Sequence, residues 1–385
     1  MDVQAPFPED LYPKELRAQP LPPPPVSVPF WKTRKGVVGI TILAFAIIGA
    51  VVGIVVSTEK KSKKSDAKSD SASGAGGTVT ALGGAGVAAV NWYNGQQIRL
   101  YIQKDDGFVY EATGDQSGNW NPNPTKLLQA KAGTPLAAVT RAPSLIHLYF
   151  LDISNVLQEY IYNSGWAKGI TPLPSANIAP NTSLAATAWT DSSSDQIRLY
   201  YQKQDNTIQE LAWSTSSASW SSGSSFTDQA YPGTSIGAVA LWYLGNLNMS
   251  VYWQANDLTL NEYMYPGWTR NTLQRSAAPL SGIAAITWTD WFIHNFHVRV
   301  YHENAAGIIV QDVYDSPPLA GGWSNASTAI NLNTLVDVPT PISTTAWANY
   351  SDIIIRGYVK NSSNNVHIEF AFSGSGDWTS KELSF

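Results

Sequence analysis

The sequence predicts an all-β fold: a six-bladed β-propeller over residues 82–385, behind a Pro-rich disordered tail (1–35), one transmembrane helix (36–56) and a Ser/Lys/Gly-rich linker (57–81). Three observations carry this. A unit of about fifty residues recurs six times after residue 82. Within each unit, β-branched and aromatic residues alternate with polar ones around a tight turn such as Asp106-Gly107 or Asp205-Asn206. The composition, with 15 Trp, 18 Tyr and 29 Gly but only 14% charged residues, favours short strands and turns over helices. Cysteine is absent, which excludes a disulfide framework, a thiol nucleophile and a thiolate metal site.

The tail carries Pro22 to Pro25 in a row, with Pro6, Pro8, Pro13, Pro20 and Pro29 around them. Proline lacks the N–H that helices and central strands need, so this stretch reads as extended or disordered. Residues 37–56, VVGITILAFAIIGAVVGIVV, contain no charge and only Thr41 as a polar side chain. At about 1.5 Å per residue such a run matches a hydrocarbon core of about 30 Å, and it lies too far along the chain for an ordinary cleaved signal peptide. It reads as a signal anchor. Lys32, Arg34 and Lys35 precede it; Lys60, Lys61, Lys63, Lys64 and Lys68 follow it, which by the positive-inside rule places the C-terminal side in the cytoplasm. The linker that follows has no hydrophobic periodicity and reads as a stalk.

QIRLYIQKDDGFVYEA (97–112) returns as QIRLYYQKQDNTIQELAW (196–213), and weaker copies start at Leu145, Met249, His297 and Ile355. The positions matching Arg99 are His147, Arg198, Ser250, Arg299 and Arg356, spaced by 48, 51, 52, 49 and 57 residues. A small-residue strand precedes each copy (VAAVNW, LAAVTR, LAATAW, GAVALW, IAAITW, STTAW), and a lone Trp follows each: Trp120, Trp166, Trp220, Trp268, Trp323 and Trp378. Each unit therefore makes three or four antiparallel strands, the Ala-rich strand being innermost, where large side chains cannot converge. Two separate sandwiches would not produce six equal units.

Few polar residues recur. Glu111 follows Arg99 by twelve residues, Glu210 follows Arg198 by twelve and Gln311 follows Arg299 by twelve; Glu369 follows Arg356 by thirteen. Glu159 and Glu262 keep the acid where His147 and Ser250 replace arginine. With the turn midway, this spacing brings arginine and acid together across a hairpin. Three residues after the acid stands Tyr162, Trp213, Tyr265, Tyr314 or Phe372, but Gly114 in the first copy. A guanidinium and a carboxylate beside aromatic faces suit a sugar: fork-like donors and an acceptor for hydroxyls, rings for the C–H face. The same residues also suit a structural ion pair with core tryptophans; the loss of arginine from two copies counts against that.

The IRLYYQ…IQELAW unit, the small-residue strand and the sixfold count resemble the fungal fucose-specific lectins of the Aleuria aurantia lectin type, over roughly residues 82–385. The resemblance implies a six-bladed propeller with fucose bound between neighbouring blades, held by Arg and Glu or Gln of one blade and packed on an aromatic and a Trp of the next. On this chain it implies pockets of Arg99 and Glu111 with Tyr162 and Trp166, of Arg198 and Glu210 with Tyr265 and Trp268, and of Arg299 and Gln311 with Phe372 and Trp378. A closing pocket of Arg356 and Glu369 with Trp120 lacks its aromatic because Gly114 stands there, and the pockets led by His147 and Ser250 depart from the pattern. The implied function is non-catalytic, multivalent binding of fucosylated glycans or glycoproteins, with no cofactor and no metal.

Two other classes compete. A propeller glycosidase would need two carboxylates flanking one bond, and an acid paired with arginine is a poor proton donor. His294, His297 and His302 do not complete a metal set. A membrane-tethered protein-interaction propeller would also use exposed aromatics. The net charge of −5 and the absence of a basic patch in the repeats speak against nucleic acid. A fucose reader has its ligands outside the cytoplasm, so function favours an extracytoplasmic propeller, against the lysine count. Sequons at Asn181, Asn248, Asn325, Asn349 and Asn361 are too close to chance to decide it. The oligomeric state stays open, homodimer included.

Overall fold

The computed structural model describes residues 86–384, apart from 142–143, 170–172, 192, 244, 290–294, 317–321, 325–327, 331–339, 350–351, 361–366 and 375–376. The Pro-rich tail, the 36–56 segment and the linker lie outside the described residues. Among those described, no helix is long and apolar enough to cross a membrane.

The repeats fold as six antiparallel meanders. Blade 1 is β1 (Val87–Trp92), β2 (Gln97–Gln103), β3 (Phe108–Gly114) and β4 (Thr125–Gln129); blade 2 is β5 (Leu136–Arg141), β6 (Leu145–Leu151), β7 (Leu157–Tyr162) and β8 (Trp166–Lys168). Blade 3 is β9 (Leu184–Thr190), β10 (Asp195–Gln202), β11 (Ile208–Ser214) and β12 (Trp220–Phe226); blade 4 is β13 (Ile236–Tyr243), β14 (Asn246–Gln254), β15 (Thr259–Tyr265) and β16 (Thr269–Ser276). Blade 5 is β17 (Ile283–Thr289), β18 (Phe296–Glu303) and β19 (Ile309–Asp315), its edge carrying two short strands, β20 (Gly322–Trp323) and β21 (Thr328–Ala329). Blade 6 is β22 (Ile342–Asn349), β23 (Asp352–Lys360), β24 (His367–Ser373) and β25 (Thr379–Leu383).

The six innermost strands touch in the cyclic order β1, β5, β9, β13, β17, β22 and back to β1. Ala88, Ala137, Ala185, Gly237, Ala284 and Ser343 line the channel they enclose, one small residue from each strand. A Cβ at Gly237 would already stand 3.0 Å from Ile283, so bulk there would push blades apart. Blades 1 and 6 are each built from contiguous chain, with no strand exchanged between the two ends. The ring is closed by packing and by hydrogen bonds from Ala89 N to Ser343 Oγ (2.9 Å) and from Asn91 Nδ2 to Ala346 O (3.1 Å).

The apolar core is correspondingly divided. Each of its six clusters draws on two neighbouring blades; Tyr149 and Leu151 of blade 2, for example, pack with Ile197 and Trp220 of blade 3. Glutamines four residues after the arginine position staple one blade to the start of the next. Gln103 Nε2 donates to Lys131 O (2.8 Å) while its Oε1 accepts from Thr134 N (3.0 Å), and Gln202 and Gln254 repeat the arrangement at Tyr231/Gly233 and Ala278/Leu280. Blade 5 puts Glu303 there, buried and accepting from Gly282 N at 3.1 Å. Burial pushes its carboxyl up to about 7 from an ordinary 4.5, against hydrogen bonds from Gly282 and Thr340. Folding thus favours the protonated form, and the stabilisation this brings is full below about 4.5 and is lost as pH rises through about 7. We expect Glu303→Gln to flatten the fall of melting temperature across that window and to melt higher than the wild type at pH 8, measured by thermal denaturation against pH.

Candidate functional site

The β2–β3 hairpin places Tyr101 directly opposite Glu111 and Arg99 opposite Thr113. Arginine and acid are therefore diagonal neighbours on one face, not directly opposed, with Arg99 Nε 3.7 Å from Glu111 Oε2. Arg198 and Glu210 (3.9 Å) keep the same register, as do Arg356 and Glu369 (3.7 Å) despite the extra residue in their turn. In blade 5, Gln311 bonds Tyr301, and Arg299 pairs instead with Asp315 at 2.8 Å.

The residue that sequence reasoning leaves without a role is the tyrosine two positions after the arginine. It is present in all six repeats, as Tyr101, Tyr149, Tyr200, Tyr252, Tyr301 and Tyr358, and each is fully buried. That sixfold recurrence, more complete than that of the arginine, was the available signal. Hydroxyls of Tyr101 (3.1 Å), Tyr200 (2.8 Å) and Tyr252 (2.8 Å) donate to Glu111, Glu210 and Glu262. Burial, reinforced by the neighbouring acid, holds these phenols well above their ordinary range, so they remain neutral donors. Burial also raises Glu111, with Arg99 and then Tyr101 opposing it.

The guanidinium rests on a tryptophan near the end of the inner strand: Arg99 on Trp92 (4.9 Å to the ring centre), Arg198 on Trp189 (4.8 Å), Arg299 on Trp288 (4.8 Å) and Arg356 on Trp347 (5.7 Å). Arginine and platform are lost together. In blade 4, Val239 pairs with Ser250 as Val90 pairs with Arg99, so Leu241 takes the platform position. The tryptophan of GAVALW is thereby one residue out of frame: Trp242 is 37% exposed and does not correspond to Trp92, a correction to the sequence alignment of the six strands. Arg99, Arg198 and Arg299 each donate through Nη1 to the preceding carbonyl, and among the described residues their Nη2 groups meet no protein acceptor.

The face carrying these groups looks onto the next blade. Trp166 stands edge-on to Tyr101 (5.8 Å), and Tyr162 lies beside it at 5.5 Å; among the described residues the buried indole N–H of Trp166 has no hydrogen-bond partner. Between blades 3 and 4, Phe226 intervenes between Tyr200 and Trp268, and Tyr265, 38% exposed, packs on Trp268 at 5.6 Å. Between blades 5 and 6, Trp378 meets Tyr301 at 6.0 Å and Phe372 at 5.4 Å. At these three interfaces the arginine-bearing hairpin and the aromatic pair named from the resemblance lie on adjoining blades, with Phe226 interposed at 3/4 and Arg299 turned to Asp315 at 5/6.

The other three differ. Between blades 6 and 1, Trp120 folds over Gly114, where a Cβ would lie 2.8 Å from its ring, and its Nε1 donates to Glu369 at 3.1 Å. The loop before it lies across the arginine: Arg356 Nη2 donates to Gln116 O (3.1 Å), and Lys381 bonds Gly118 O (2.6 Å) beside Glu369. Between blades 4 and 5, Glu262 is filled by Tyr252, Asn271 (3.2 Å) and Trp323 (3.1 Å). Between blades 2 and 3, His147 Nδ1 meets Glu159 at 2.9 Å. His302 is bonded to Asp312 (3.0 Å) and His297 to Asp315 (2.6 Å); His294 lies outside the described residues, among which no group of three or more metal-ligating side chains occurs.

Tyr200→Phe leaves a buried carboxylate short of one donor. We expect a loss of about 1–3 kcal/mol in urea denaturation, whereas the same change at the exposed Tyr93 should cost nothing measurable.

A family model described as fungal fucose-specific lectin matches residues 82–265 and 238–384. The fucose-specific lectin of Aleuria aurantia is 30% identical over 305 residues, covering 75% of this chain and 88% of that protein. The fucose-specific lectin of Aspergillus fumigatus is 32% identical over 241 residues, 60% of this chain and 74% of that protein. Among solved structures, the Aleuria aurantia lectin, titled a six-bladed β-propeller with a novel fucose recognition mode, superposes with a TM-score of 0.65 at 26% identity, covering 77% of this chain and 94% of that one. A mutant of it in complex with alpha-methyl-L-fucoside gives 0.64 at 27% identity, with coverage of 77% and 94%.

Proposed function

Because the chain belongs to the fungal fucose-specific lectin family, we propose that it binds L-fucose-containing glycans, without catalysis, at the interfaces of blades 1/2, 3/4 and 5/6. The observation that supports this choice is the Nη2 of Arg99, Arg198 and Arg299, which among the described residues meets no protein acceptor, each beside a buried-tyrosine–acid or tyrosine–amide pair at an interface whose following blade carries an aromatic pair. The guanidinium Nη2 and the acid or amide would bond vicinal hydroxyls; Tyr162 and Trp166, Tyr265 and Trp268, or Phe372 and Trp378 would cover the apolar face of the sugar. Such pockets are individually weak, and several on one ring reach a fucosylated surface through avidity. The closing pocket of Arg356, Glu369 and Trp120 has its donors engaged by the 115–119 loop and contributes little.

We further propose that residues 36–56 anchor the protein as a single-pass signal anchor with the propeller extracytoplasmic. The uncharged twenty-residue run supports the span, and the location of fucosylated partners supports the orientation. Protease protection of sealed membranes from the native host reads it directly: the propeller should be cleaved or shielded as a luminal or surface domain is, and a cytoplasmic pattern would reverse the orientation.

Titration calorimetry with L-fucose, with D-galactose as control, should give saturable binding at about three sites per chain. Arg198→Ala should remove one of them. No heat with fucose at millimolar concentration would refute the assignment.

A further inference from the structure

The blade 2/3 interface contains an arginine, but from another strand. At the platform position, where blades 1, 3, 5 and 6 carry tryptophan, stands Arg141; Val139 pairs with His147 as Val90 pairs with Arg99. The two residues of the usual arginine-on-tryptophan pair have been replaced together, and the cation has changed places.

Its new position is fixed on every side. Arg141 Nε donates to His147 Nε2 (3.1 Å), so the ring proton sits on Nδ1 and is given to Glu159 Oε1 (2.9 Å). Arg141 Nη1 donates to Asp195 Oδ2 of blade 3 (2.9 Å), and the guanidinium carbon lies 4.3 Å from the ring centre of Trp213. Trp213 is the counterpart of Tyr162, Tyr265 and Phe372, each three residues after the acid position of its own blade. The Arg141 side chain is only 10% exposed.

We propose that Arg141 is the specificity-determining residue of this interface: its guanidinium is a built-in occupant, lying on Trp213 and beside the His147–Glu159 pair where a sugar ring would stack, so the 2/3 interface takes no fucose. The proposal rests on the reading of the other interfaces as fucose pockets. It treats the departure of His147 from the repeat pattern as half of a paired exchange, with Asp195 supplying the counter-charge from the neighbouring blade. The exchange is reversible by design: Arg141→Trp with His147→Arg restores the platform and its cation, and frees the face of Trp213.

The test is fucose calorimetry on the full chain carrying both substitutions, with a urea midpoint to establish folding. Stoichiometry should rise by one site over the wild type. A folded double variant with wild-type stoichiometry overturns the proposal while leaving the fucose reading intact; a wild type that binds no fucose removes both. His147→Ala, which keeps the Arg141–Asp195 pair, supplies a second reading should the double variant not fold. It should leave the stoichiometry unchanged, and the loss of one site would show that the native interface binds sugar and overturn the proposal.

Discussion

A buried tyrosine in each repeat joins the stability of the ring to the chemistry of its interfaces. Its ring stands edge-on to the tryptophan of the following blade at five of the six interfaces. Its hydroxyl, or its register, fixes the acid of its own hairpin. A carboxylate is costly to bury without donors, and the tyrosine offers a donor that stays protonated there. Any shift between blades therefore displaces the acid as well as the core. Sites placed at blade interfaces depend on the small residues at the axis, since these set how closely the blades approach.

On this common frame the interfaces take different chemical states. At three of them, among the described residues, the arginine Nη2 meets no protein acceptor. One has that nitrogen engaged by a loop carbonyl at Gln116, one has its acid saturated by Asn271 and Trp323, and one is filled by Arg141. The scaffold survives all of these because the load is carried by tyrosine, tryptophan and the interblade clusters, not by the arginine.

The six repeats, their strand order and the closeness of arginine and acid within a hairpin were legible in the sequence, because periodicity and spacing are local properties that a hairpin translates directly into neighbours; the grouping of those residues with aromatics of the next blade came only from the family resemblance. What escaped depends on register or on contacts between blades. Trp242 falls out of frame because a run of small residues carries no marker of pairing. The diagonal placement of Arg99 and Glu111 needs the exact hairpin register, which put Tyr101 opposite the acid. His147 reads as a simple loss, since its compensation lies on another strand at Arg141 and in the next blade at Asp195 and Trp213. Gly114 marks a departure from the repeat pattern, but that Trp120 packs over it and that its loop reaches Arg356 follows only from the fold.

The most direct measurement is a crystal structure of the propeller-bearing chain soaked with α-methyl-L-fucoside. Sugar density is expected at interfaces 1/2, 3/4 and 5/6, bonded to Arg99, Arg198 and Arg299, with Arg141 still seated on Trp213 at 2/3. Sugar at the 2/3 interface, or none beside those three arginines, would contradict this expectation.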